Sequence, residues 1–253
     1  MLATVGAARR FAGGVLDLLL PRVCVACERS LDAAEPGVVC GRCWARIHPL
    51  PAPRCDRCGH PNTRASCRWC ELLPPYVRAV RSACWLPGGA AGPIVHALKY
   101  GGWRSVAIGM ATRMARLAWP ADIVAERSAL VPVPLAAVRR RERGFNQSEL
   151  LAEELGRAWR IPVWASVLVR ARATRTQTRL TPGDRLANVA GAFRASDGAR
   201  SMVRRSHIIL VDDVVTTAAT LNACADVLFA SGARIISYIT FGRAPASGDQ
   251  PGP

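Results

Sequence analysis

Ile208-Ile-Leu-Val-Asp-Asp-Val-Val-Thr-Thr-Ala-Ala-Thr-Leu221 decides how the rest of this 253-residue chain is read. Four aliphatic residues, Ile208 to Val211, have the composition of a strand buried on both faces of a parallel sheet. Asp212 and Asp213 follow at its carboxyl end, where open α/β sheets bind their ligands. Small and hydroxyl residues run from Thr216 to Thr220, and a helix follows with Leu221, Ala225, Leu228 and Phe229 on one face. Unpaired N–H groups at a helix start hold a phosphate, and threonine hydroxyls add donors. Adjacent acids accept hydrogen bonds from sugar hydroxyls or hold magnesium through water. The plainer alternative is a core strand ending in two exposed acids. The order strand, acid pair, Thr run, helix favours the ligand site.

Two other nucleotide folds are excluded. A Walker-type ATPase needs a Gly-rich loop ending in Lys-Ser or Lys-Thr, and the only lysine, Lys99, precedes Tyr100. No Gly-x-Gly-x-x-Gly opens a helix, so a dinucleotide-binding Rossmann site has no support.

The run resembles the phosphoribosyl-diphosphate loop of type I phosphoribosyltransferases. In that family two acids grip the ribose 2′ and 3′ hydroxyls and the loop grips the 5′-phosphate. The resemblance implies ribose on Asp212 and Asp213. It implies phosphate on the loop Val214, Val215, Thr216, Thr217, Ala218, Ala219 and Thr220, with the threonines as donors. The family usually has Gly where this chain has Ala218. Glycine takes positive φ and lets backbone approach a ligand, so the methyl group would weaken phosphate binding or signal lost turnover.

Half of the residues are hydrophobic, enough for a sizeable core. The formal charge of +16 falls to roughly +12 if eight cysteines bind two zinc ions as thiolates. Residues 127–205 hold 16 Arg against 6 acids, a concentration that fits an anionic partner such as diphosphate or nucleic acid. A general bias towards arginine accounts for part of the excess, since Lys99 is the single lysine among 34 basic residues.

Cys24, Cys27, Cys40 and Cys43 form CxxC-x12-CxxC, and Cys55, Cys58, Cys67 and Cys70 form CxxC-x8-CxxC. Each CxxC turn can put two thiolates on one metal, and two turns complete a tetrahedron. Two consecutive zinc ribbons are the simplest arrangement; interleaved pairing is the alternative, and redox or disulfide roles compete with zinc. His48 and His60 are surplus to eight cysteines. Trp44 and Trp69 are expected to cover the small ribbon cores, with stacking on bases as the alternative. Cys84 and Cys224 read as ordinary buried thiols. The ribbons serve either to brace the larger domain or to bind a partner.

The domains expected are an N-terminal helix over 1–23, a double zinc ribbon over 24–73, an α/β domain over 76–242 and a flexible tail over 243–253. Phe11 to Leu20 is apolar but too short to span a bilayer, and the paired CxxC turns fit a reducing compartment, so the expected location is cytoplasmic. After Pro74-Pro75, Val77–Trp85 alternates as a strand, Ile94–Tyr100 is helical, and a second helix covers about Trp103 to Trp119. Ala129–Pro134 reads as the first strand of the main sheet. Arg139-Arg-Arg-Glu-Arg143 follows, then Gly144–Ser148 and a helix to Trp159. Val163–Val169 reads as the next strand, Ala192-Phe193 starts another, and Ile235–Phe241 is the last. Arginines just past a strand end clamp diphosphate in bidentate fashion. Polar residues dominate 170–188, a candidate closing loop, with a plain surface loop as the alternative.

Leu16–Cys24, His96-Ala-Leu-Lys-Tyr-Gly101, Val131-Pro-Val-Pro134, Arg143-Gly-Phe-Asn-Gln147, Arg175-Thr-Gln177, and Arg185 with Asn188–Phe193 are together similar to the ComF competence protein family. The likeness covers about residues 11 to 242. It implies an α/β fold: a type I phosphoribosyltransferase-like parallel sheet with helices on both faces, preceded by a small double zinc-ribbon domain. It further implies association with uptake of single-stranded DNA in natural transformation, with single-stranded DNA and a competence helicase or other uptake proteins as partners. Three functions are weighed: a nucleic-acid-handling accessory, an active phosphoribosyltransferase of nucleotide metabolism, and a non-catalytic ligand sensor. For the transferase, Asp212, Asp213 and Arg143 take the catalytic roles. Arg139 and Lys99 meet diphosphate, Arg175 and Gln177 sit in the closing loop, and magnesium accompanies the diphosphate.

Overall fold

The computed structural model describes residues 22–32, 35–61, 67–172, 191–245 and 249. The expected N-terminal helix, most of the expected closing loop with Arg175, Gln177 and Arg185, and most of the tail lie outside them.

Four parallel strands form the main sheet: β1 (Val77–Trp85), β2 (Arg127–Pro132), β5 (His207–Val215) and β6 (Ile235–Arg243), in the order β1-β6-β5-β2. The Ile208–Val211 run lies in β5, an inner strand, and all four residues are fully buried. Ile209 and Val211 face one core; Ile208 and Leu210 face the other. This division explains an uninterrupted aliphatic run. Period-2 alternation sends neighbours to opposite faces, and a strand covered on both faces needs apolar residues at every position.

Helices α3 (Ala91–Tyr100), α4 (Val106–Ala115) and α7 (Gln147–Trp159) cover the first face. Helix α9 (Ala219–Ala230) and the short α8 (Ala199–Val203) cover the second. Leu151, Ala152 and Leu155 line one side of α7 at helical spacing, which seats it on β2 and β5. Gly156 permits close approach, since a Cβ there would lie 2.8 Å from Val163. Short helices α5 (Ala121–Glu126) and α6 (Ala137–Arg143) flank β2.

Several expectations are corrected. Ala129–Pro134 is not the first strand of the sheet; β1 enters earlier in the chain and pairs with β6. Val163–Val169 is not a strand of that sheet. Val163 makes one parallel bridge to Leu130, and the chain then forms β3 (Leu168–Arg170), antiparallel to β4 (Phe193–Ala195) in a separate ribbon. The second helix is shorter than expected, Val106–Ala115. Phe229 is not in the core; it is 45 % exposed and stacks on Tyr76, 4.0 Å between ring centroids. Strand β6 runs through Arg243, one residue past the expected domain limit, and that arginine is buried.

The cysteines form two consecutive tetrads, Cys24/Cys27/Cys40/Cys43 and Cys55/Cys58/Cys67/Cys70, with the sulfurs of each within 4.8 Å of one another. The interleaved alternative is thereby dismissed. Cys27–Cys40 Sγ atoms lie 3.8 Å apart, and the Cys55–Cys70 and Cys58–Cys67 pairs lie 3.4 Å apart. Four Zn–S bonds of about 2.3 Å need sulfur spacings of about this size. Backbone N–H groups donate to sulfur in the first tetrad, Cys40 N to Cys24 Sγ and Cys43 N to Cys40 Sγ, each 3.3 Å, which favours thiolates. Donor set and spacing fit structural zinc. His60 is no ligand; it pairs with Asp249 at 3.0 Å.

Candidate functional site

The carboxyl ends of β2 and β5 and the amino ends of α7 and α9 enclose a cavity of about 370 Å³. Parallel strands make this convergence unavoidable. Each strand delivers its following turn to the same edge of the sheet.

Asn146 ties the first part together. Its Oδ1 accepts from Ser148 N at 3.1 Å and caps α7, while its Nδ2 donates to Val133 O at 3.0 Å, just past β2. The cap fixes Ser148, whose Oγ donates to Asp212 Oδ1 at 2.8 Å. Asp213 N donates to the same oxygen at 2.9 Å. Asp213 is buried, and its Oδ2 lies 2.6 Å from Lys99 Nζ. Burial works against the Lys99 ammonium, but the Asp213 carboxylate holds its pKa above the usual lysine value. Burial first, and the Asp213 charge second, push the Asp212 carboxyl up to about 7.

Beyond Val215 the turn enters α9 through Ala218, whose φ is 60° and ψ 5°. That left-handed backbone suits glycine, and the methyl group is tolerated at a cost. No side chain caps this helix start. Val214, Val215, Thr216, Ala218, Ala219 and Thr220 all line the cavity. Thr217, expected as a phosphate donor, is not among the lining residues.

On the opposite wall stand Lys99, Arg139 and Arg143, brought together as expected. Lys99 meets the acid pair directly, a contact that its expected diphosphate role did not include. Arg139 reaches Glu142 at 2.8 Å. Arg143 donates from Nη1 to Gln147 Oε1 at 2.9 Å and lies over the Tyr100 ring, 5.0 Å from its centroid. Tyr100, Gln147, Ser148 and Arg170 complete the wall without having been given roles from sequence. Gln147 and Ser148 belong to the Gly144–Ser148 block, so the signal existed, but the capping geometry that aims them did not. No group of three or more His, Cys, Asp or Glu ligands gathers here among the described residues, so these side chains form no magnesium cage of their own.

The Escherichia coli K12 DNA utilization protein YhgH is 33 % identical over 232 residues, covering 87 % of this chain and 96 % of the relative. The chain belongs to the ComF/YhgH family. A double zinc ribbon domain model matches residues 15–72, in accord with the two tetrads. Within the family, Haemophilus influenzae Competence protein F is 36 % identical over 116 residues, covering 46 % of this chain and 50 % of the relative. Bacillus subtilis Competence protein ComFC is 27 % identical over 237 residues, covering 87 % and 93 %. Among solved structures, adenine phosphoribosyltransferase from Leishmania donovani aligns with 59 % of this chain and 71 % of its own, at 14 % identity and a TM-score of 0.30. No helix among the described residues is long and apolar enough to cross a membrane.

Proposed function

We propose that the cavity binds a phosphorylated ribose of the phosphoribosyl-diphosphate class, and that the protein serves as an accessory in the handling of incoming single-stranded DNA. One observation carries the ligand reading. The acid pair, the uncapped start of α9 and a wall of cationic side chains converge on one cavity. The helix N-terminus supplies N–H donors and a positive dipole end for a 5′-phosphate. Thr216 and Thr220 add hydroxyls. Asp212 and Asp213 accept from ribose hydroxyls, with Lys99 setting the charge on the second acid. Arg139 and Arg143 neutralise further phosphate charge by hydrogen bonds. Magnesium would arrive on the diphosphate and screen its charge.

Were the bound sugar transferred, Asp212 is the group suited to hold a proton, because its carboxyl titrates near neutrality. Calorimetry with phosphoribosyl diphosphate and magnesium tests the site. Wild-type binding that disappears in the double variant Asp212→Ala, Asp213→Ala supports it; unchanged affinity in that variant rejects it.

The accessory role rests on the names of its relatives and on the 16 Arg of residues 127–205. Binding of labelled single-stranded DNA that weakens steeply with salt is the expected signature. Absence of binding even at low salt removes this half of the proposal.

A further inference from the structure

Tyr100 is out of place as a structural residue. It ends α3, lines the cavity beside Lys99, and is 59 % exposed. A large aromatic ring left this open gains little from burial. Arg143 lies over the ring at 5.0 Å, and His96 lies 5.0 Å from it at a tilt. Gln147 sits beside the pair, 7 % exposed. Its Oε1 accepts from Arg143, which fixes the amide orientation, because a guanidinium only donates. The amide nitrogen of Gln147 is then a donor placed on the cavity wall, one residue from the Ser148–Asp212 contact.

We propose that Tyr100, Arg143 and Gln147 form the acceptor subsite of the cavity, and that it takes a free planar nitrogen heterocycle of nucleobase size. The ring and the guanidinium offer flat, polarisable surfaces on which a base stacks. Gln147 Nε2 donates to a carbonyl or ring nitrogen on the base edge. The proposal rests on the phosphoribosyl reading, because the acid pair must hold the sugar for the base to reach this shelf. The cavity of about 370 Å³ is closed enough for one nucleotide unit and favours a free base over a polymer.

Calorimetry on the full-length, zinc-loaded protein compares ribose 5-phosphate with adenosine and uridine 5′-monophosphates. At least one nucleotide is expected to bind about 10- to 100-fold tighter than the sugar phosphate, the range seen for one base stacked on an aromatic side chain. Tyr100→Ala should erase that advantage, Tyr100→Phe should keep it, and Gln147→Leu should reduce it. Sugar-phosphate affinity should stay constant across all three variants. Equal binding of nucleotide and sugar phosphate by wild type overturns the subsite and leaves the phosphoribosyl reading intact. Failure of wild type to bind either compound overturns both. A Tyr100 dependence seen only with single-stranded oligonucleotides also overturns the proposal, by showing that the ring serves a polymer.

Discussion

The two zinc modules share a metal chemistry but are attached to the sheet domain in different ways. The first rests on the helical layer. Trp44 lies against Gly109 of α4, where a Cβ would meet its ring at 2.2 Å, and Arg113 stacks over it at 4.1 Å. The second is hydrogen-bonded into the sheet itself. Val80 N of β1 donates to Arg57 O at 2.7 Å, and the Arg57 side chain donates to Val77, Cys70, Leu73 and Pro74 carbonyls. Buried Arg243 of β6 donates to Cys58 O at 2.5 Å and lies 5.5 Å from the Trp69 ring. Arg243 is also paired with Val215, on the strand that delivers the ligand turn. Surface docking therefore characterises one module and load transfer to the pocket the other. Both tryptophans cover protein in this structure, as the ribbon-core reading expects.

Serine in place of a buried cysteine of each module should separate them most strongly. Cys24 and Cys58 are equally buried, so burial does not confound the comparison. Metal contributes folding energy to such modules. Cys58→Ser should lower the melting temperature of the whole protein and its phosphoribosyl affinity, with a loss of more than about 4 kcal/mol, of the order of the largest single-site effects. Cys24→Ser should release one zinc and loosen the first module while the sheet melts within a few degrees of wild type. Zinc stoichiometry and thermal denaturation, read together, check this. Equal losses would erase the distinction.

Arg243→Met and Arg113→Met pose the same question more gently. Burial lowers the pKa of both arginines, so each charge is held at a cost and kept by its partners. The Arg243 change should cost about 2–3 kcal/mol in urea denaturation, because Cys58 O loses a charged donor in a buried place. The Arg113 change, half-exposed at its stacked ring, should cost about 1 kcal/mol.

What the sequence disclosed follows the same local-versus-distant line. Ile208–Leu221 and the eight cysteines were readable because their chemistry is carried by neighbours in the chain. Their strand, turn and tetrads stand where expected. Val163–Val169 was misplaced because an apolar run specifies extended backbone without specifying which sheet it joins. Pairing of β1 with β6 joins segments far apart in the chain, and nothing in either announces the other. Lys99 on Asp213 and Arg243 on Cys58 escaped for the same reason. Each arginine or lysine looked like surface charge until its partner arrived from another element. Thr217 was counted with its neighbours because a run of hydroxyls does not reveal which of them turn inward.

Within the pocket, Asp212→Asn should leave both zinc sites untouched and alter only the response to pH. The folded-state carboxyl is raised to about 7, above its ordinary value near 4. Between those values the folded protein holds a proton that the unfolded chain releases, so stability falls as pH rises from about 4 through about 7. Asparagine keeps the acceptor for Ser148 and carries no charge. Its melting temperature should match wild type at pH 5 and exceed it by a few degrees at pH 8. A variant that tracks wild type at both pH values would show that the site already relieves the buried charge.

Ala218→Gly has the smallest expected effect on stability and the most informative effect on the turn. The left-handed φ of 60° costs alanine roughly 1 kcal/mol, and glycine returns that while making the unfolded chain more flexible. Net stability should therefore change by less than about 1 kcal/mol. Affinity should move further, because removing the methyl group opens the helix start to a phosphate. A severalfold gain in phosphoribosyl diphosphate affinity without turnover favours a sensor, in which alanine sets a weak, reversible response. A gain accompanied by turnover favours a transferase slowed by one methyl group. A loss of affinity would mean that the methyl packs against the ligand, and the phosphate would then have to be sought on the arginine wall rather than at α9.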